Sequence, residues 1–276
     1  TLLPVSLSNE WNTANTPSVL YDEGKILQSG GALYTAGNPS SGKSLLLDLN
    51  AGVPSKAANA DMQFPRIFHN EVVLPNGEVM VIGGNAGEKF SDVASQLTPE
   101  IWNPVTKTWR QMSDMSVPRN YHSVALLMTD GRVWSGGGGL CNCAADHADS
   151  QVFSPPYLFN ANGSLATRPE IIQAPDLVSY GTTINVTASP DISRFTLIRM
   201  SSTTHTLNSD MRFLNVPYTT TGIDQYALTL HTNRDVMVPG YWMLFALDQQ
   251  GVPSVSKVIK VSTSNSPVIT NPGDQN

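Results

Sequence analysis

Three side chains of this 276-residue chain could together bind a redox-active metal ion. Tyr121 and His122 are adjacent in the sequence, and His205 follows in what reads as a different domain. A phenol and two imidazoles suit copper better than they suit magnesium or calcium. Spacing alone leaves alternatives open, since His122 could be a structural feature of a repeat and His205 an exposed loop residue.

Other polar clusters give weaker signals. Cys141 and Cys143 are the two cysteines of the chain, and a local disulfide is favoured because an isolated pair falls short of four zinc ligands. A soft metal-ligand pair or two free thiols are the alternatives. Asp146, His147 and Asp149 could mimic a carboxylate–imidazole metal site, but we expect hydrogen-bonded turn residues there. No phosphate-binding loop, nucleophile elbow or zinc-protease motif is present.

Composition excludes several classes of function. The formal charge is −6, and no basic patch is available to displace the counterions of a nucleic acid. No apolar run approaches the roughly 20 residues that a membrane span needs. Charged residues make up 14% of the chain, whereas Gly (21) and Pro (19) are plentiful, which favours an all-β fold. Because Thr1 is not methionine and no signal peptide is recognisable, we interpret the chain as a processed product or an excised piece.

An internal repeat organises the first half of the chain. Three segments combine a strand pattern with a glycine pair: Gly24–Gly31, Gly77–Gly84 and Gly131–Gly137. Their starting positions are almost evenly spaced, with a period of roughly 50 residues that is typical of kelch-type propeller blades. Glycine pairs suit places where neighbouring backbone leaves no room for a side chain.

The repeat also aligns the candidate ligands with an earlier unit. The segments 65–70 and 118–123 both begin with Pro-Arg and occupy the same place in successive units, which pairs His69 with His122 and Phe68 with Tyr121. A histidine in both units is the reason for considering a structural role for His122. Neighbouring strand residues point to opposite faces, so Tyr121 and His122 could share a metal only where the strand breaks down.

The predicted domains are blades over residues 1–160, a β-sandwich over 161–264 and a tail over 265–276. About three blades cannot close a ring, because propellers need roughly four to eight. We therefore expect an N-terminal remainder of the propeller, in the same chain or a separate one. After the repeat, about 100 residues of short strands indicate an immunoglobulin-like sandwich. The strands predicted there are Thr182–Thr187, Phe195–Arg199, Tyr241–Leu247 and Lys257–Val261.

Several motifs together resemble a known family. They are Tyr121–Ser123, Asp130–Val133, Gly136–Cys141, Leu165–Pro169, Thr204–Thr206 with Asn208 and Asp210, Pro239–Phe245 and Gly251–Val255. The sequence resembles the copper radical oxidases, which include galactose oxidase and the glyoxal oxidases, over nearly its whole length and in their C-terminal part. The resemblance implies a seven-bladed kelch propeller followed by an immunoglobulin-like domain.

The resemblance also implies a copper site on the propeller axis. Tyr121 would be the axial tyrosine and the base that takes a proton from the bound alcohol, with His122 and His205 as the histidine ligands. A free phenol ionises near pH 10, so a bound metal is needed for a phenolate at neutral pH. The family's radical-bearing tyrosine, joined to a cysteine by a thioether, would lie upstream of this chain.

Further residues take roles from the same resemblance. Phe68 and Phe90 match positions of the family's aromatic substrate pocket, with ordinary blade packing as the alternative. Cys141 and Cys143 match a family disulfide, although one residue separates them here where the family usually has two.

The implied function is the C-terminal part of a secreted copper radical oxidase. It would oxidise a primary alcohol (galactose-type or simple) or an aldehyde with O₂ to give H₂O₂, and it would be inactive without the upstream blades. The sequons Asn162–Ser164 and Asn185–Thr187 permit glycosylation in a secreted protein. The alternative is a non-catalytic kelch propeller that binds a glycan or a partner protein and lacks the radical pair.

Overall fold

The chain folds almost entirely into β-strands. A computed structural model describes residues 16–32, 39–50, 52–87 and 91–262. Within these ranges the one helical element is a single 3-10 turn at Pro156–Leu158. None of the helical structure described is long and apolar enough to cross a membrane. The predicted tail, residues 265–276, lies outside the described residues.

Three antiparallel sheets of sequentially adjacent strands make up the first half. The first contains β1 (Ser18–Asp22), β2 (Lys25–Ser29), β3 (Ser44–Asp48) and β4 (Ser55–Ala58). The second contains β5 (Asn70–Val73), β6 (Val79–Ile82), β7 (Glu100–Asn103) and β8 (Thr108–Gln111). The third contains β9 (Val124–Leu127), β10 (Val133–Gly136) and β11 (Ser150–Phe153). The repeated segment forms the second strand of each sheet, which confirms the prediction of kelch-type blades.

The glycine pairs lie where neighbouring backbone comes very close. A Cβ on Gly84, whose φ is +83°, would lie 2.6 Å from the carbonyl oxygen of Ile67 and 2.9 Å from Cβ of His69. A Cβ on Gly83 would lie 2.6 Å from the carbonyl oxygen of Arg119. Both contacts are shorter than real Cβ atoms tolerate, so the spacing between neighbouring segments requires glycine.

Two sheets that share a core form the second half. The four-stranded sheet contains β12 (Ile171–Gln173), β14 (Thr183–Ala188), β20 (Gln225–Thr229) and β19 (Tyr218–Gly222). The five-stranded sheet contains β13 (Leu177–Ser179), β22 (Lys257–Ser262), β21 (Gly240–Leu247), β15 (Arg194–Arg199) and β18 (Phe213–Val216). The four strands predicted from the sequence in this region correspond to β14, β15, β21 and β22. Blades followed by a β-sandwich are therefore the observed fold.

Strand β21 is apolar on both sides because its sheet is covered on both faces. Trp242 and Leu244 pack in the core of the sandwich, whereas Met243 and Phe245 pack with the blade residues. This explains why the strand sequence is a nearly continuous hydrophobic run, since alternation is expected only when one face meets solvent. The sandwich is thereby fixed directly against the blades.

Hydrogen bonds reinforce this contact at the turn between β5 and β6. Thr196 Oγ1 donates to the carbonyl oxygen of Pro75 at 3.0 Å, and Arg194 Nη1 donates to that of Asn76 at 2.8 Å.

The next part of the chain, between β15 and β18, forms a small hairpin of β16 (Thr203–Thr204) and β17 (Leu207–Asn208). Strand β16 contacts β9, and β17 contacts β1 and β5. The sandwich thus extends a hairpin to the first strand of each of the three blades.

Candidate metal centre

Tyr121 and His122 lie in a turn immediately before β9. His122 has φ +69°, in the left-handed region that non-glycine residues rarely adopt. The strand alternation is therefore interrupted here, and the two ring centroids are 4.0 Å apart with an angle of 36° between the ring planes. Two adjacent side chains can point to the same place because the backbone has not yet become extended.

One extra residue distinguishes this turn from its counterpart in the preceding blade. Arg66 and Arg119 are equivalent, because the carbonyl oxygen of each accepts from the second glycine of a repeated pair. Residues 67–69 lie between Arg66 and the start of β5, whereas residues 120–123 lie between Arg119 and the start of β9. The third blade therefore contains one additional residue between the arginine and the strand, and we assign it to Asn120.

The extra residue corrects the alignment made from the sequence. Phe68 has φ +63° and lies two residues before β5, as His122 lies two residues before β9, so these two are equivalent. The pairing of His69 with His122 was wrong by one position, and the counterpart of His69 is Ser123. The repeat therefore gives no reason to regard His122 as a structural histidine of the blade.

His205 lies at the tip of the β16–β17 hairpin. His205 (φ +51°) and Thr206 (φ +68°) are both left-handed, as the two central residues of a type I′ hairpin turn must be. The His205 ring centroid is 5.1 Å from that of His122 and 5.8 Å from that of Tyr121. The structure thus brings together three predicted site residues from two regions of the chain.

The hydrogen bonds of the imidazoles fit a metal-binding role. His122 Nδ1 lies 2.7 Å from the carbonyl oxygen of Gly139, which can only accept, so Nδ1 carries the proton and Nε2 the lone pair. Metal-bound histidines commonly have their second nitrogen held in this way. His205 Nδ1 lies 2.7 Å from Thr204 Oγ1, a hydroxyl that can accept a hydrogen bond from a protonated Nδ1, which leaves the lone pair on Nε2. The donor set of one phenol and two imidazoles is compatible with copper.

Phe68, one of the two phenylalanines of the predicted substrate pocket, packs against Tyr121. Phe68 is fully buried and contacts Tyr121 edge to face, with 5.2 Å between ring centroids. Ile67 and Ala32 complete this small apolar cluster beneath the tyrosine. Phe90 lies outside the described residues. The edge-to-face contact with Phe68 holds the phenol ring of Tyr121 in place, whichever role Phe68 has toward a substrate.

The loop that follows β10 is held by a disulfide and a carboxylate. Cys141 and Cys143 are joined to each other, so neither is available as a thiolate ligand. Asp146 accepts from the backbone N–H groups of Cys141, Leu140 and Asn142, and these bonds, that from Cys141 most of all, lower the pKa of its carboxyl group. Asp146 is therefore a turn residue, as predicted from the sequence.

A buried polar cluster between the first two blades was not anticipated from the sequence. Ser29 Oγ donates to Glu71 Oε1 at 2.5 Å and lies 3.4 Å from His69 Nε2. Burial raises the pKa of Glu71 well above its ordinary value and lowers that of His69 well below its ordinary value. The sequence signal that could have revealed this cluster is Glu71 itself, a charged residue next to Val72 and Val73 in β5.

Family comparisons match both halves of the chain. Residues 53–153 match the family described as glyoxal oxidase N-terminus, and residues 168–261 match the one described as galactose oxidase-like, Early set domain. A galactose oxidase of Gibberella zeae is 39% identical over 255 residues, which are 89% of this chain and 37% of that protein. An aldehyde oxidase of Arabidopsis thaliana is 27% identical over 241 residues, which are 78% of this chain and 38% of that protein.

A solved structure has the same fold. A fungal alcohol oxidase in complex with copper superposes with a TM-score of 0.87 at 39% identity, over 91% of this chain and 54% of that one. The chain therefore spans little more than a third of the length of the curated relatives and about half of the solved one.

Proposed function

Since the chain is a galactose oxidase-like and glyoxal oxidase-like protein, we propose that it is the C-terminal part of a secreted copper radical oxidase. The reaction is oxidation of a primary alcohol to an aldehyde, or of a hydrated aldehyde to an acid, with reduction of O₂ to H₂O₂. The observation that carries the proposal is the approach of the Tyr121, His122 and His205 rings to within 4.0–5.8 Å of one another.

The three residues have separate tasks in this proposal. His122 and His205 would hold the copper ion through their lone-pair nitrogens, and Tyr121 would hold it through its phenol oxygen. Bound copper would supply one-electron redox chemistry and the positive charge that favours the ionised form of the Tyr121 oxygen. Tyr121 then takes the hydroxyl proton of the alcohol as a general base. Phe68 keeps the phenol ring in place from below.

The second redox-active group comes from outside this chain. Both cysteines here form one disulfide, so the tyrosine–cysteine thioether of such an oxidase requires a cysteine from the remaining part of the propeller. Alone, the chain supplies ligands and the base but no radical, and we expect no turnover from it. Its disulfide supports an oxidising, extracellular location, as do the two sequons.

Copper binding by the chain alone is the first test. We expect one Cu(II) per chain, with binding strongly weakened in His122→Ala and His205→Ala. His231→Ala is the matched control, since this partly exposed histidine of the sandwich is paired with Glu23 of the first blade and not with the Tyr121–His122 turn. Equal affinity in all three variants and the original chain would show that these imidazoles are not the ligands.

Turnover is the second test and needs the upstream portion. Joined to it, the chain should form H₂O₂ from a primary alcohol or an aldehyde, and Tyr121→Phe should abolish this while the control Tyr241→Phe, at an exposed phenol, should not. Copper binding without peroxide formation, together with an upstream sequence that lacks the tyrosine and cysteine, would instead favour the non-catalytic propeller.

A further inference from the structure

Asn120, the extra residue of the third blade, is fully buried and fully hydrogen-bonded. Its Nδ2 donates to the carbonyl oxygen of Ser91 and to Asp92 Oδ1, both at 2.8 Å. Its Oδ1 accepts from Ser95 Oγ at 3.1 Å. The side chain immediately before Tyr121 is thus attached entirely to a loop of the second blade.

Asp92 extends this attachment to a third segment. His147 Nε2 lies 3.0 Å from Asp92 Oδ1 and 3.1 Å from Oδ2, and His147 is mostly buried. The backbone N–H of His147 donates to the carbonyl oxygen of Gly138 at 3.2 Å. A single carboxylate therefore holds both the residue before the Tyr121–His122 turn and the loop after β10.

The loop after β10 in turn orients both candidate ligands. Gly139 donates its N–H to the carbonyl oxygen of Tyr121 at 2.8 Å, and its own carbonyl oxygen is 2.7 Å from His122 Nδ1. Gly138 adjoins Asn120, since a Cβ on Gly138 would be in van der Waals contact with the backbone nitrogen of Asn120, at 3.4 Å. A shift of the Gly138–Gly139 backbone would therefore rotate the imidazole of His122.

We propose that Asp92 is a positioning residue for the Tyr121–His122 pair, acting through Asn120 on one side and His147 on the other. The inference rests on the proposed function, since it takes these two residues as copper ligands. Among the contacts described, those of Asp92 are with Asn120 and His147, and its effect on the two rings is therefore indirect. Its effect comes from a carboxylate that accepts from the Asn120 side chain and also contacts the His147 ring, which links the two segments in addition to the His122–Gly139 and Arg119–Gly137 contacts.

The experiment compares three variants of the chain in Cu(II) titrations against a competing chelator. Asp92→Ala should weaken Cu(II) binding about tenfold, the lower end of what loss of an outer-shell partner costs. Asp92→Asn should bind nearly as the original chain does, because its Oδ1 still accepts from Asn120 and its amide can donate to His147. Asp114→Ala is the matched control, since this exposed aspartate of the second blade accepts only from Thr98 among the hydrogen bonds described.

The electron paramagnetic resonance spectrum at saturating Cu(II) separates positioning from general loss of stability. We expect an altered hyperfine pattern in Asp92→Ala and an unchanged one in Asp92→Asn and Asp114→Ala. An unchanged spectrum in Asp92→Ala would overturn the proposal, whatever the affinity. So would a loss of affinity of equal size in Asp114→Ala.

Hydrogen exchange of the metal-free chain keeps the inference separate from the proposed function. Asp92→Ala should speed exchange of the Gly139 amide, which donates to Tyr121, while leaving the amides of β15 and β21 unchanged. If the original chain binds no Cu(II), the proposed function fails, and exchange then decides the structural role of Asp92. Unchanged exchange at Gly139 would refute that role as well.

Discussion

Replacing Gly84 by alanine should destabilise the second blade severely. The left-handed φ of +83° costs a residue with a Cβ about 1–2 kcal/mol. The new methyl would also lie 2.6 Å from the carbonyl oxygen of Ile67, which is backbone and cannot move aside, and overpacking of this kind adds about 1–3 kcal/mol. The expected loss in the free energy of unfolding is about 2–5 kcal/mol, the sum of the two terms.

Gly163→Ala is the matched control. Gly163 has a similar φ of +81°, but nothing lies within 4 Å of its added Cβ, so we expect only the backbone cost of about 1–2 kcal/mol. Guanidinium unfolding followed by tryptophan fluorescence measures both, and Trp102 in the same blade is fully buried. Equal losses in the two variants would refute the argument that close packing between segments, rather than backbone conformation alone, requires the glycine pair.

Three further substitutions test the polar groups between and within the blades. Glu78→Gln should cost about 2 kcal/mol at pH 7. Although burial raises the pKa of Glu78, its bonds to Arg110 and other donors hold that pKa below the ordinary value, so the loss should shrink as the pH falls below 4.5. A loss independent of pH in urea unfolding would contradict this. Glu71→Gln should stabilise the chain increasingly as the pH rises above 4.5, because the raised pKa of Glu71 means that its ionisation opposes folding. If the difference in thermal midpoint between the variant and the original chain stayed constant from pH 4 to 8, the prediction would be wrong. Gln151→Glu should raise the thermal midpoint by giving buried Arg119, whose Nη1 already pairs with Asp149, a second carboxylate at the position that Glu100 occupies beside Arg66 in the second blade. An unchanged or lower midpoint would show that the new carboxylate cannot reach Arg119.

The sequence was sufficient for the architecture because the repeat is a local property. Glycine pairs at nearly even spacing mark equivalent strands, and apolar runs mark the strands of the sandwich. The approach of Tyr121 to His122 was foreseen only conditionally, as requiring a break in the strand. The break exists because His122 adopts a left-handed backbone conformation. The segment 118–123 contains no glycine that would have predicted this conformation.

The hydrogen-bond network around the turn could not be predicted in the same way. The slightly longer step from the second repeated segment to the third contained the signal for an extra residue, but its position depends on which backbone groups pair across the blades. Asp92 and Asn120 are separated in sequence by a whole strand pair, and only the packing of the second blade against the third brings them together. Similarly, Glu71 acquires its buried partner Ser29 from a different blade.

The five-stranded sheet of the second half has a practical consequence for anyone who would study that half in isolation. Without the blades, the sheet would expose Phe213, Met243 and Phe245 to water as one contiguous hydrophobic surface. Such a fragment should self-associate rather than stay monomeric. The sandwich is thus not an independently transferable domain. Exchanging it between related proteins would also require exchanging the blade residues that pack against it.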